Sequence, residues 1–119
     1  MLSSNCVFAE YRDVVKVKDT LYISGQLSTT FDGKVIKAGI YDQTINTLKV
    51  IENLLTKNGF QKKDLTQCNV FLSDYEHFKQ MNKAFTIFFK EIPWPARATV
   101  GGVQLWKKLD VEISCVARK

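Results

Sequence analysis

Histidine and proline are scarce in this chain of 119 residues, which has one His and two Pro. A lone His77 excludes a two-histidine acid/base pair unless subunits share residues. His77 itself falls in the first turn of a predicted helix and reads as a solvated surface residue. The three cysteines, Cys6, Cys68 and Cys115, are odd in number, widely spaced and outside any C-x-x-C pair. Neither a disulfide framework nor a structural zinc is therefore expected. Cys68 and Cys115 read instead as small buried hydrophobes. No apolar run approaches the ~20 residues that span a bilayer. The segment from Met1 to Glu10 lacks the basic start and sustained apolar stretch of a secretory signal. A cytoplasmic protein with no membrane partner is the expectation.

What is present describes a folded chain. Hydrophobic residues make up 45% and charged residues 24%, and the length suits one domain, residues 1–119, around a single core. The net charge of +5 raises nucleic acid as a partner. The lysines are scattered over every predicted element, however. Only the doublets Lys62-Lys63, Lys107-Lys108 and Arg118-Lys119 cluster, and none alternates with aromatic residues as a base-stacking surface would. A solvated lysine-rich surface is the favoured reading, and nucleic acid stays open as a less favoured partner.

The element pattern is legible from periodicity. Val14 to Lys18 and Leu21 to Ser24 form a predicted hairpin, and Asp32-Gly33 is a turn signal with a short strand expected at Lys34 to Ile36. Ile45, Leu48, Ile51 and Leu55 follow helical spacing between Tyr41 and Asn58, where Asn58-Gly59 supplies a stop. Cys68 to Leu72 is a strand. Ser73-x-x-Glu76 has the form of a capping box ahead of a helix whose Phe78, Met81, Phe85, Phe88 and Phe89 make a core stripe. Pro93 and Pro95 end that helix and lead into a strand carrying Arg97. In the last strand Leu109, Val111, Ile113, Cys115 and Ala117 share one face and Glu112 takes the other. The expected fold is α+β, a mixed β-sheet with two helices packed on one face. Tyr22, Phe71, Val100 and Val116 would fall on the bare face, which calls for self-association.

Arg97 and Glu112 are the candidate chemical pair. A planar guanidinium matches a carboxylate through two parallel hydrogen bonds, and a carboxylate facing the same cleft could handle water. An ordinary surface ion pair is the competing reading of these two charges.

Four motifs together resemble the RidA/YjgF family of small enamine/imine deaminases, a family also known under the endoribonuclease L-PSP name. They are Ile23-Ser24-Gly25-Gln26, Val70-Phe71-Leu72-Ser73-Asp74 with Phe78 and Asn82, Pro95-Ala96-Arg97 with Val100, and Glu112-Ile113 near the end. The resemblance runs from Tyr11 to Arg118. It implies a chorismate-mutase-like subunit, a homotrimer with sites between subunits, no cofactor and no metal. The implied reaction is hydrolysis of 2-iminobutanoate or 2-iminopropanoate, formed from their enamines, to a 2-keto acid and ammonia. Arg97 would hold the substrate carboxylate and Glu112 would position or activate water. Ser24, Gly25, Tyr11, Asn82 and Thr99 would line the pocket. An endoribonuclease or translation inhibitor, and a module that binds small carboxylates without turnover, are the alternatives. This chain departs from the family pattern at Ala9-Glu10, where many members have Gly-Pro. It departs again at Thr99, where several have cysteine, and at Trp106, where proline is usual.

Overall fold

The computed structural model describes residues 11–119; the calls on Cys6 and on Ala9-Glu10 lie outside them. Five strands form one sheet: β1 (Val14–Val17), β2 (Thr20–Gln26), β3 (Leu65–Leu72), β4 (Ala96–Val100) and β5 (Val111–Arg118). Their order is β1-β2-β5-β3-β4, with β3 and β4 parallel and the other pairs antiparallel, so the sheet is mixed and β4 is an edge. Two helices, α1 (Ile40–Lys57) and α2 (Phe78–Phe88), pack on one face. The expected α+β architecture is the one observed. No helix among the described residues is long and apolar enough to cross a membrane.

Local chemistry explains the helix ends. α1 stops where Asn58 caps it and Gly59 turns left-handed at φ 83°, and the Phe60 N–H then returns to the Leu55 carbonyl at 2.9 Å. This closure satisfies a carbonyl that the helix leaves over. Leu48, Ile51 and Leu55 are buried as expected, but Ile45 is only half-buried, while Gln43, Thr44 and Thr47 are buried. Polar side chains tolerate that position because the Thr44 and Thr47 hydroxyls donate to the carbonyls of Ile40 and Gln43, each at 2.8 Å. The aromatic stripe of α2 is core, with Met81, Phe85, Phe88 and Phe89 buried.

Two local expectations are corrected. Lys34 to Ile36 is no strand of the sheet: Val35 makes one isolated bridge to Thr29 around the Asp32-Gly33 turn. Ser73 does not cap α2. Its hydroxyl donates to Asp110 at 2.6 Å, and Asp74 accepts the Glu76 N–H instead.

A third correction concerns cysteine. Cys68 and Cys115 are joined by a disulfide, because the antiparallel register of β3 and β5 sets them directly opposite with 4.1 Å between their Cα atoms. Sequence spacing hides such a pair, since 47 residues separate them. Such bonds persist in oxidising compartments, so the cysteines lend no support to the cytoplasmic expectation. With three cysteines less the two bonded, the denatured unreduced chain should show one titratable thiol. Reduction should lower stability by about 2–4 kcal/mol. Three thiols found without reductant would reject the bond.

The sheet face away from the helices carries Tyr22 and Val100, exposed at 49% and 47%, beside half-buried Phe71 and Val116. This is the apolar face that the strand alternation predicted.

Candidate active site

Glu112 stands between buried Val111 and Ile113 and opposite Phe71, so its side chain lies on the open face of the sheet. A bulge in β2 shapes its surroundings. Ile23 pairs with Cys115 and Gln26 with Ile113, leaving Ser24 and Gly25 as two residues set against one. Gly25 thereby comes so close to the Glu112 carboxylate that a Cβ there would meet its Cδ at 2.9 Å. A side chain at this position would have to push the Glu112 carboxylate away from the bulge. The Tyr11 hydroxyl donates to the Gly25 carbonyl at 2.7 Å, and the Ser24 hydroxyl donates to the Arg12 carbonyl at 2.6 Å, which ties the incoming chain to the bulge.

Electrostatics follow from partial burial. Desolvation pushes the Glu112 carboxyl above its ordinary value of 4.5. Desolvation likewise raises the Tyr11 phenol; its hydrogen bond with Ser24 opposes the rise, and the Asp13 and Glu112 carboxylates add to it. The cleft beside Glu112 has a volume of about 530 Å³ and also includes Tyr11, Gly25, Leu27 and Trp106.

Arg97 belongs to a different surface. It pairs with Cys68 in the parallel β3–β4 ladder and shares that residue's helix-facing side. Its guanidinium carbon lies 4.8 Å from the Phe85 ring centre, 5.3 Å from that of Phe78 and 5.8 Å from that of Trp94, and one N–H reaches the Met81 sulfur at 3.7 Å. Among the described residues no carboxylate stands within salt-bridge distance of it. Burial against these rings pulls the guanidinium pKa down, with Tyr75 acting weakly the other way. Thr99 shares the Arg97 face of β4, and Asn82 lies on α2 one turn beyond Phe78.

The candidate residues thus divide into two groups. Tyr11, Ser24, Gly25 and Glu112 gather at the β2 bulge, whereas Arg97 and Thr99 lie on the opposite side of the sheet at its β4 edge, with Asn82 on the helix above. Within one chain Arg97 and Glu112 do not face a shared cleft, which corrects the simplest form of the expectation. They do not pair as a surface salt bridge either.

The most similar known proteins show a consistent pattern. Residues 3–119 match the family described as Endoribonuclease L-PSP. The chain belongs to the endoribonuclease L-PSP family. Its relatives include a "RutC family protein" from Sulfurisphaera tokodaii, 34% identical over 110 residues, covering 92% of this chain and 87% of the relative. A second, from Dermatophagoides farinae, carries the name 2-iminobutanoate/2-iminopropanoate deaminase and is 28% identical over 107 residues, covering 89% of this chain and 83% of the relative. The crystal structure of RidA from an Antarctic Psychrobacter superposes with a TM-score of 0.86 at 32% identity, covering 93% of this chain and 89% of that one. This establishes the fold and the family.

Sequence reasoning missed several neighbours of the endoribonuclease L-PSP motifs. Asp110 accepts from Ser73 at 2.6 Å and from Gln43 at 3.1 Å, its own N–H donates to Gln43 at 2.9 Å, and His77 stands 3.9 Å away. This network fixes the entry to β5, and the one histidine lies beside it. Trp94 completes the ring cluster around Arg97. This tryptophan is already legible in the sequence as bulk set just before Pro95-Ala96-Arg97, with packing as one of its readings.

Proposed function

We propose that this chain is a cofactor-independent enamine/imine deaminase that acts as a homotrimer, with Arg97 of one copy meeting Glu112 of its neighbour. The observation that carries the reading is the division of the site. A partly desolvated guanidinium with no carboxylate in salt-bridge distance among the described residues lies at a sheet edge, and a carboxyl with a raised pKa lies on an open face that also exposes apolar side chains. Each half lacks what the other supplies. The deaminase name of the 28% identical relative agrees with this chemistry.

The reaction needs little from the protein. The enamine first moves a proton from nitrogen to carbon and becomes the imine. Arg97 holds the substrate carboxylate, which orients C2. Glu112, ionised, takes a proton from water as the oxygen attacks C2, and the C=N electron pair moves to nitrogen. Glu112 returns its proton to that nitrogen, and the hydroxyl proton then passes to the same nitrogen, so that the C–N bond breaks with loss of NH3 as C=O forms. The net change is imine plus water to 2-keto acid plus ammonia. Tyr11, Ser24 and Gly25 hold Glu112's surroundings, while Asn82 and Thr99 border the Arg97 side.

Ammonia release from freshly generated 2-aminoacrylate tests the proposal. The wild-type chain should accelerate release over the spontaneous rate, and kcat/KM should rise with pH through an inflection above 4.5 as Glu112 ionises. Binding of 2-keto acids without acceleration would point to a carboxylate-binding module. RNA cleavage that survives purification and is lost in Glu112→Gln would point to a ribonuclease.

A further inference from the structure

We infer that Trp106 selects the substrate, and that this chain prefers 2-imino acids with bulky, neutral, apolar side chains over the three- and four-carbon imines. The inference rests on the deaminase reading above and concerns the cleft beside Glu112. That cleft measures about 530 Å³ in the single chain, within the size range of sites that hold small organic ligands, and the proposed neighbour would close it from the Arg97 side. Beyond the Glu112 carboxylate its surroundings include Tyr11, Leu27 and Trp106, two aromatic side chains and one aliphatic. Asp13 borders the same cleft, so together with Glu112 it disfavours an acidic substituent.

The position of Trp106 is built rather than incidental. It opens the short turn Trp106–Lys108, in which Lys107 and Lys108 both adopt a left-handed φ of 56°. Two successive non-glycine residues in that region strain the backbone. The turn is held by the Leu109 N–H on the Trp106 carbonyl at 3.1 Å and by the Lys37 ammonium on the Lys107 carbonyl at 2.6 Å. The Lys107 ammonium covers the indole at 5.4 Å from its centre. Even so, Trp106 remains 53% exposed. A strained, cross-braced turn therefore holds a large apolar ring at the edge of the cleft that contains the water-directing carboxylate. A substrate whose C2 sits near Glu112 can lay an aromatic or branched side chain against that ring.

The test compares imines generated in place from phenylalanine, leucine and alanine by an amino-acid oxidase. It also measures binding of phenylpyruvate and pyruvate. In the wild type, kcat/KM for the phenylalanine- or leucine-derived imine should exceed that for the alanine-derived imine by about tenfold, and phenylpyruvate should bind about tenfold more tightly than pyruvate. Trp106→Ala should shift both ratios toward the small ligand by about tenfold, and Trp106→Phe should retain most of the preference. Equal ratios in wild type and Trp106→Ala, or a wild-type preference for the small imine, would overturn the role of Trp106. Failure to accelerate any of the imines, while phenylpyruvate still binds more tightly than pyruvate, would overturn the deaminase reading and leave the ligand preference standing.

Discussion

Arg97→Ala is expected to slow imine hydrolysis by about a hundredfold or more while the chain stays folded. The guanidinium can give the substrate carboxylate two charge-assisted hydrogen bonds, each worth about 1.5–3 kcal/mol, and a loss of ~2.7 kcal/mol is already a factor of one hundred. Its structural contribution is smaller. The ring contacts with Phe78, Phe85 and Trp94 are cation–π interactions at a half-exposed site, worth about 0.5–1 kcal/mol each. Phe85 stays buried among core side chains after the change. Arg97→Lys separates charge from shape. An ammonium keeps the attraction but loses the planar fork, so the lysine variant should fall between wild type and alanine. The measurements are ammonia release from 2-aminoacrylate and binding of 2-ketobutyrate, with circular dichroism as the check on folding. Unchanged acceleration in a folded Arg97→Ala chain would remove Arg97 from the mechanism.

Much of the fold was readable because it is local. Alternation from Leu109 to Ala117 assigns each β5 side chain to a face without any knowledge of its neighbours, and the helical spacing of Phe78, Met81, Phe85 and Phe88 does the same for α2. What failed was decided at long range or by side-chain bonding. The Cys68–Cys115 bond depends on β3–β5 register. Whether Arg97 and Glu112 share a cleft depends on β4 lying parallel to β3 with Arg97 beside Cys68, which no local pattern states. Thr44 and Thr47 are buried because their hydroxyls satisfy carbonyls four residues back, whereas Ile45 remains half-exposed. Ser73 matched a capping pattern but was drawn to Asp110, which stands 37 residues away in the chain. The glycine of Ser24-Gly25 was visible as a motif; its reason, close approach of the backbone to Glu112, required the bulge.

The separation of the two halves on opposite sides of the sheet leads to a second large effect, which a single-chain site cannot produce. Arg97→Ala and Glu112→Gln, each close to inactive alone, should restore activity when unfolded together and reassembled. In the proposed cyclic trimer each site would take Arg97 from one copy and Glu112 from the next, so every subunit would contribute to two sites. With equal random mixing, about one site in four pairs an intact Arg97 with an intact Glu112, and activity should reach about a quarter of the wild-type value. Sites built from the two defective halves stay silent and do not subtract from the signal. Mixing the folded variants without unfolding should give less, because exchange is limited by dissociation of the assembly. Apolar Tyr22, Phe71, Val100 and Val116 on the open face supply a reason for that assembly to hold. Were both residues to act within one chain, every chain in the mixture would carry a defect and no recovery would follow. The ratio of recovered to wild-type activity therefore reads the placement of the catalytic pair directly, independently of which imine is the natural substrate.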